Sequence, residues 1–396
     1  MTTKQSISLT SAEFIDNPYP FYDEMRSMGP LYKLDSFPYP GWYVTGYEEV
    51  KKVLLDTRFK NRIPLPLTSK KYERLKEVQN HMMLFKNELD HRRLRGLASA
   101  AFVPSKLKHI RYYIEETAHD LLNQAEQKNK MDVVSDYAFP LASLVIAKMI
   151  GVPVVERPLF REWSASLIRT IDFTRTRHIL ASGDETIGVL LDYFQRLINK
   201  KKRAPKDDLI SMFVKQDSEL SEKELLATCI LLMIAGHETT VNLISNTVLV
   251  LLNHPVQYKA LQENPALIET AIEEVLRYES PTQMTARVAS EDIKMGESIV
   301  QKGDHVYVLL GAANRDPEKF AKADVFDMTR KPNPHLAFGH GVHFCIGASL
   351  ARMEAQIAIQ ILLQRMPGLR LSDSKPRWRK LIGFRSLSEL PVILRS

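Results

Sequence analysis

The sequence predicts a mainly α-helical protein with small β-sheets, folded as a single domain over residues 1–396. Three observations predict it. Long stretches carry apolar residues three and four apart, the helical period. One of them is apolar on most sides and has no breaker between Ser221 and His254-Pro255, which marks a long central helix. Short β-branched and aromatic runs stand between the helical stretches, and no Gly/Ser/Pro-rich linker or change of composition divides the chain.

In order, Asn17-Pro18-Tyr19-Pro20 and Pro30 punctuate the start, and Phe14, Phe21, Tyr22 and Met25 form a short apolar face. Trp42 to Thr45, after Gly41, reads as a strand. Val50, Val53, Leu54 and Leu55 recur at helical spacing, and Ile63 to Leu67, with Pro64 and Pro66, reads as a loop. Asp90 is placed to cap a helix carrying His91-Arg92-Arg93-Leu94-Arg95, in which His91 and Arg95 lie one turn apart on one face. Leu107 to Gly151 is mostly helical, interrupted at Pro140 and ended by Gly151-Val152-Pro153. Trp163, Leu167, Ile168, Ile171 and Phe173 mark a further helix. The pattern pauses around Gly183 and resumes through Leu190, Leu191, Phe194, Leu197 and Ile198, and Lys200 to Arg203 read as a frayed, solvated helix end.

Ser221 and Glu224 have the spacing of a capping box at the start of the long helix. Inside that helix lies Ala235-Gly236-His237-Glu238-Thr239-Thr240. Glycine costs about 1 kcal/mol in a helix interior, and polar groups in an apolar helix carry a desolvation cost. The segment is either a kink whose hydroxyls bond back to helix carbonyls or a place where function needs polar groups. Pro265 opens the next helix, where Glu274 and Arg277 are three apart, the spacing of an ordinary surface ion pair. Thr282 to Val288 is a strand that puts Gln283, Thr285 and Arg287 on one face, and His305 to Leu310 is another.

Composition is that of a soluble globular protein, 44% hydrophobic and 26% charged. Two cysteines far apart argue against a disulfide framework and fit a reducing cytosol. The polar N-terminus lacks a signal-peptide core, and the longest nearly apolar run, Leu225 to Gly236, is shorter than the ~20 residues of a membrane span. The expectation is a cytoplasmic protein, with no membrane and no nucleic-acid motif. The net charge of +7 suggests an acidic partner or ligand.

The remaining stretch carries the most specific chemistry. Phe338-Gly339-His340-Gly341-Val342-His343-Phe344-Cys345-Ile346-Gly347 holds one of the two cysteines and precedes a helical pattern from Ala348 to Leu362. Glycines let backbone approach a bulky group closely. The partial positive charge at a helix N-terminus favours thiolate over thiol. Taken singly, Cys345 is equally a small buried hydrophobe, and the glycines a turn or a phosphate cradle.

Together, Phe338, Gly339, Gly341, His343, Cys345 and Gly347 resemble the haem-ligand loop of the cytochromes P-450. The other motifs follow in the family's order: Ala235-Gly236-x-Glu238-Thr239, Glu274-x-x-Arg277, and Asn314-Arg315-Asp316-Pro317 with Phe320, Phe326-Asp327 and Arg330. One minor departure is Ala323-Asp324, where Pro-Asp is usual. The resemblance implies the family's fold, with the long central helix over the haem. It implies Cys345 as thiolate ligand of the iron of haem b, which favours O–O cleavage. Phe338, His343 and Gly347 would complete the cofactor loop. His91 and Arg95 would hold one propionate and Arg287 the second. A kink at Ala235 and Gly236 would open a groove for O2 and water, with Glu238 feeding protons and Thr239 hydrogen-bonding the bound oxygen and its water. Glu274 and Arg277 would be a buried structural pair.

The resemblance further implies a monooxygenase drawing electrons from NAD(P)H through a ferredoxin or flavodoxin, acting as a monomer. The helices on either side of Gly183 resemble the family's mobile lid. A pocket of Leu84, Ile171, Leu231, Ile234, Gln283, Thr285 and Phe384 would take a lipophilic substrate. Tyr39 to Tyr47, Leu167 to Arg175 and Ser280 to Arg287 are similar to members that oxidise acyl chains, free or on acyl carrier protein. Arg92, Arg93, Lys106 and Lys108 would remain for the electron donor, and Arg169, Arg175 and Arg177 for a carrier. Two alternatives are an H2O2-using peroxygenase, a subgroup that lacks the acid–alcohol pair, and a non-enzymatic haem sensor or carrier.

Overall fold

The structure, a computed structural model, describes residues 8–34, 40–61, 71–215 and 219–394. The loop expected at Ile63 to Leu67 lies outside them, as does Tyr39. The central helix runs without interruption from Glu222 to Asn253. Its start is the expected capping box: Glu224 N–H donates to Ser221 Oγ (3.3 Å), and Ser221 N–H donates to Glu224 Oε2 (2.9 Å). The helices Glu73–His81, Phe139–Ile150, Phe160–Ile171, Ile268–Tyr278 and Ala348–Arg365 pack around it. Val133–Ile150 and Glu222–Asn253 have the length and hydropathy of membrane spans, but 67% and 83% of those windows are buried inside the protein. Their apolar surface is used for internal packing.

The five-stranded sheet orders Leu31–Leu34, Gly41–Val44, His305–Leu309, Met284–Ala289 and Phe59–Lys60. Gly41–Val44 runs parallel to His305–Leu309, and Met284–Ala289 pairs antiparallel with the latter, Arg287 opposite Val306. The face formed by Phe14, Tyr22 and Met25 packs on this sheet with Tyr43 and Tyr307.

Several expectations are corrected. The chain between helices Phe160–Ile171 and Arg177–Arg203, the pair expected to form the lid, turns at 172–176, not at Gly183, which lies inside the second of them. A Cβ at Gly183 would come within 2.3 Å of Thr170 Cγ2, so this glycine serves close helix packing. Lys201 is no frayed end: it is buried and ion-paired with buried Asp208. Asp90 lies in the first turn of helix Glu88–Ser99, where its charge suits the helix dipole, and Asn87 holds the cap position. Pro140 does mark a break, between a π-helical turn at Val133–Ala138 and the helix Phe139–Ile150, which ends at Gly151 with φ +96°.

Candidate active site

The loop ahead of helix Ala348–Arg365 needs its glycines. Gly339 and Gly341 have φ of +72° and +71°, and a Cβ on Gly341 would sit 2.7 Å from the Leu54 carbonyl oxygen. Cys345 N–H donates to the Phe338 carbonyl (2.9 Å), and the helix begins just after Gly347. Cys345 is exposed. Even so, its surroundings are dense enough that burial pushes the thiol pKa up, against the Gly347 N–H, Arg95 and Arg352, which pull it down. A group both exposed and closely surrounded faces a recess. Arg352 lies 4.5 Å over the Phe338 ring and donates to Glu273 at 2.6 and 2.8 Å, which fixes the loop to helix Ile268–Tyr278.

Basic groups converge beside the thiol. The His91 and His343 rings are 4.0 Å apart. His343 is pushed down to about 3 by burial, then by the nearby His91, Arg287 and Arg95, so it is a neutral imidazole at pH 7. Its Nε2 lies 3.1 Å from Asn61 Nδ2. His91 is buried and its Nε2 has no partner. Arg95 donates to the Phe344 carbonyl at 2.5 Å. Burial pushes Arg287 down to about 10, and it donates only to Thr285 Oγ1 (3.2 Å) and the Ala286 carbonyl (2.8 Å). Among the described residues no carboxylate pairs with His91, Arg95 or Arg287. Buried like charges without a counter-ion are costly, and a bound anion relieves that cost.

The central helix opens at one place. From Leu225 to Leu251 every residue is buried except Ala235, which is exposed, and Gly236 and Thr239, which are half-buried. Thr239 Oγ1 donates to the Ala235 carbonyl at 2.9 Å and Thr240 Oγ1 to the Gly236 carbonyl at 3.4 Å, the back-bonding that loosens a helix turn. Glu238, the neighbour of Thr239, is turned into the fold. It is buried, paired with Arg379, and accepts from Ser386 Oγ at 3.4 Å. Burial raises its pKa, and Arg379 and Ser386 oppose the rise.

Glu274 and Arg277 are both fully buried and joined by two 2.8 Å hydrogen bonds. Arg277 also donates to the carbonyls of Asn314, Ala323 and Val325, while Glu274 accepts from Asp327 N–H, Arg330 and Asn333. The pair thus ties its helix to the segment ahead of the cysteine loop.

The sequence model of the family described as Cytochrome P450 matches residues 8–377. The chain belongs to the cytochrome P450 family. It is 60% identical to the biotin biosynthesis cytochrome P450 of Bacillus subtilis (strain 168), over 97% of this chain and 98% of that protein. The crystal structure of P450BioI in complex with hexadec-9Z-enoic acid ligated acyl carrier protein superposes with a TM-score of 0.95 at 59% identity, covering 98% of this chain and all of that one. The myxobacterial cytochrome P450 CYP267B1 in complex with myristic acid gives 0.91 at 36% identity, covering 98% and 99%. The fold expected from the sequence is therefore correct, and the chain is a cytochrome P450 monooxygenase.

The residues present fit a haem. A sole thiolate in a glycine-lined recess suits iron whose other ligands come from a macrocycle: among the described residues, no group of three or more His, Cys, Asp and Glu could hold a bare ion. The unpartnered His91 Nε2 and the uncompensated Arg95 and Arg287 suit the carboxylates of such a group.

Other P450 expectations fare differently. The central helix is continuous through Gly236, where a Cβ would come within 2.7 Å of Ile146 Cδ1, so besides standing in the window this glycine admits the neighbouring helix. Leu84 is 38% exposed, and Ile171, Thr285 and Phe384 are half-buried, whereas Leu231 and Ile234, at 7% and 5%, pack into the main core. Gln283 is buried: its amide donates to the Ser280 carbonyl (2.7 Å) and its side chain packs against Gly311. Arg93 is not left for a partner, since it pairs with Glu224 and donates to the Glu219 carbonyl. Arg175 donates to the Asp172 carbonyl. Sequence reasoning missed Arg379, Ser386, Asn61 and the Glu273–Arg352 pair. Each meets its partner across a long stretch of chain, and none lies in a local pattern.

Proposed function

We propose that this monooxygenase binds haem b through Cys345 and oxidises a long acyl chain, as the free acid or on an acyl carrier protein. The observation that supports the cofactor reading best is the exposed Cys345 in its recess beside a basic cluster that lacks a counter-ion. His91 and Arg95 would take one propionate and Arg287 the other. Charge-assisted bonds suit this role, and Arg287 is kept dry enough to make them strong. When bound, the haem supplies the reductive activation of O2. The chain's own part is to exclude water, orient the substrate and move protons. Thr239, in the window of the central helix, would orient a water, and Glu238 would carry protons to it from the interior of the fold.

The acyl substrate is supported by the near full-length similarity to P450BioI, whose crystal structure holds an acylated carrier protein. Leu84, Ile171, Thr285 and Phe384 are the pocket residues that remain accessible. Exposed Arg169 and Arg177 beside the lid would meet an acidic carrier, and exposed Arg92, Lys106 and Lys108 an acidic ferredoxin or flavodoxin carrying electrons from NAD(P)H. The enzyme would work as a cytoplasmic monomer that meets its partners in turn. Glu238 and Thr239 favour this reading over a peroxygenase.

The test has two parts. Cys345→His should keep haem yet lose the red-shifted absorption band of the reduced carbon monoxide complex; survival of the band would remove Cys345 as ligand. Titration of the parent with palmitic acid and with palmitoyl carrier protein should displace a water from the iron, seen as a shift of the haem band. A response to neither overturns the acyl substrate while leaving the ligand assignment intact.

A further inference from the structure

The strands Arg377–Trp378 and Leu387–Glu389 form a hairpin near the C-terminus. Arg379 N–H donates to the Ser386 carbonyl at 2.8 Å, so the two residues sit opposite each other across it. Both side chains reach Glu238, 141 and 148 residues away in sequence. The tip of the hairpin is held by the lid loop. Asp172, fully buried, accepts from Ile382 N–H (3.3 Å) and Gly383 N–H (2.8 Å), and also from the backbone and hydroxyl of Thr174 (2.8 and 2.7 Å). Phe173 packs within 3.4 Å of where a Gly383 Cβ would stand. Behind the hairpin lies a cavity of about 10 Å³, lined by Arg379, Ser386, Phe384, Tyr22 and Gln283, about the room one water needs. Gln283 Oε1, which has no partner, is a polar atom such a water would use.

We infer that Arg379, with Ser386, is the positioning partner that sets the charge and direction of Glu238, and that Asp172 ties this pairing to the lid loop. The groups acting on Glu238 are the Arg379 guanidinium and the Ser386 hydroxyl from the hairpin. Its neighbour on the helix, His237, is buried and held neutral, near 3, chiefly by burial. Among the described residues, Arg379 is therefore the cation that opposes the upward pull of burial on Glu238. A lid movement that pulls on Ile382 and Gly383 moves the strand ends bearing Arg379 and Ser386, and so loosens the pair. Glu238 then takes a proton from a water in the cavity behind the hairpin, which is re-protonated from solvent, and turns to carry it to Thr239.

The inference rests on the reading of Glu238 as the proton carrier, and the experiment separates the two. Infrared spectra of the holoenzyme are recorded across pH, and the carboxylic acid C=O band of Glu238 is assigned by its loss in Glu238→Gln. Arg379→Gln should raise the midpoint of that band by about one pH unit or more, the usual effect of losing an adjacent opposite charge. Arg379→Lys should hold it near the parent value, and the pH profile of product formed per electron should move up with the midpoint. Asp172→Asn should raise the midpoint in the same direction by less. Should that variant not fold, Thr174→Val, which removes one donor to Asp172, gives the same reading. An unchanged midpoint in Arg379→Gln, or an equal rise in Arg379→Lys, overturns the role of Arg379. A parent-like midpoint in the lid-loop variants overturns the tie to the lid. Unchanged coupling of electrons to product in Glu238→Gln instead overturns Glu238 as carrier.

Discussion

Two acid–arginine pairs with buried acids, Glu274–Arg277 within one helix and Glu238–Arg379 between the central helix and the C-terminal hairpin, are built differently. Glu274 and Arg277 have no exposed side-chain surface, and every oxygen and most donors are used: two bonds to each other and six to surrounding backbone and side chains. Glu238 and Arg379 have each other and Ser386, and the arginine side chain is 24% exposed. In the first pair the hydrogen bonds are so fully matched that neither side chain has anywhere to go. The second pair can open, because one partner already touches solvent and the other lacks a full set of donors. A saturated network organises the chain; a sparse one can change its protonation state.

The comparison breaks most clearly at Glu274. Removing it strands Arg277 in the interior without its only anionic partner among the described residues, at a cost of about 3–5 kcal/mol, a large part of the ~5–15 kcal/mol that holds a typical domain together. Glu274→Ala should be poorly soluble and short of haem, and its denaturant midpoint should fall accordingly. A haem-loaded variant within about 1 kcal/mol of the parent would show that the surrounding carbonyls alone suffice for Arg277.

The Glu273–Arg352 pair is more exposed than either, each side chain about 30%. Burial would raise the pKa of Glu273, but hydrogen bonds from His335 and Arg352 outweigh that and hold it at about 2, against an ordinary 4.5. A carboxylate depressed by folding contributes stability that is fully present above the unfolded value and is lost as pH falls toward the folded one. Unfolding free energy should therefore decline between roughly pH 4.5 and 2. Glu273→Gln should flatten that decline by roughly 1–2 kcal/mol, after allowing for solvent screening of a partly exposed pair. A parent-like slope in the variant would mean the pair contributes nothing through charge.

The saturated pair was half legible in the sequence and the sparse one hardly at all. Glu274 and Arg277 are three apart on one helix, so local spacing proposes the pair, although spacing alone gives a surface ion pair and only the family motif moved it inside. The helix limits around Ser221 and Gly151 were legible for the same reason: caps and φ-positive glycines act within a turn. Gly183 misled because glycine inside a helix has two causes, a break or a neighbour that must come close, and the neighbour Thr170 lies on another helix. The basic runs misled likewise: Lys201 and Arg93 look solvated until Asp208 and Glu224 fold onto them. In the cysteine loop the motif named the ligand, while the absence of any described counter-ion around His91, Arg95 and Arg287 is a three-dimensional fact that no linear pattern carries.

The sharpest use of the comparison has the smallest effect on stability. Glu238→Gln keeps the shape of the side chain and can still accept from Ser386, while Arg379, already wetted, keeps water as a partner for its charge. Replacing a buried ion by a neutral isostere then also removes the cost of burying that ion. The expected change in unfolding free energy is below about 1 kcal/mol, several times less than for Glu274→Ala, though both remove a buried carboxylate. The effect should appear in the chemistry instead. Reductant should still be consumed, but more of it should leave as peroxide and less as oxidised substrate, because an amide cannot relay a proton. Thr239→Ala should uncouple in the same direction, by removing the hydroxyl in the helix window rather than the acid behind it. Measuring reductant consumed, peroxide and product alongside denaturant midpoints for the three variants places each on two axes. If Glu238→Gln instead lost several kcal/mol and stayed coupled, the two pairs would be the same kind of object, and the distinction drawn between saturated and sparse would fail.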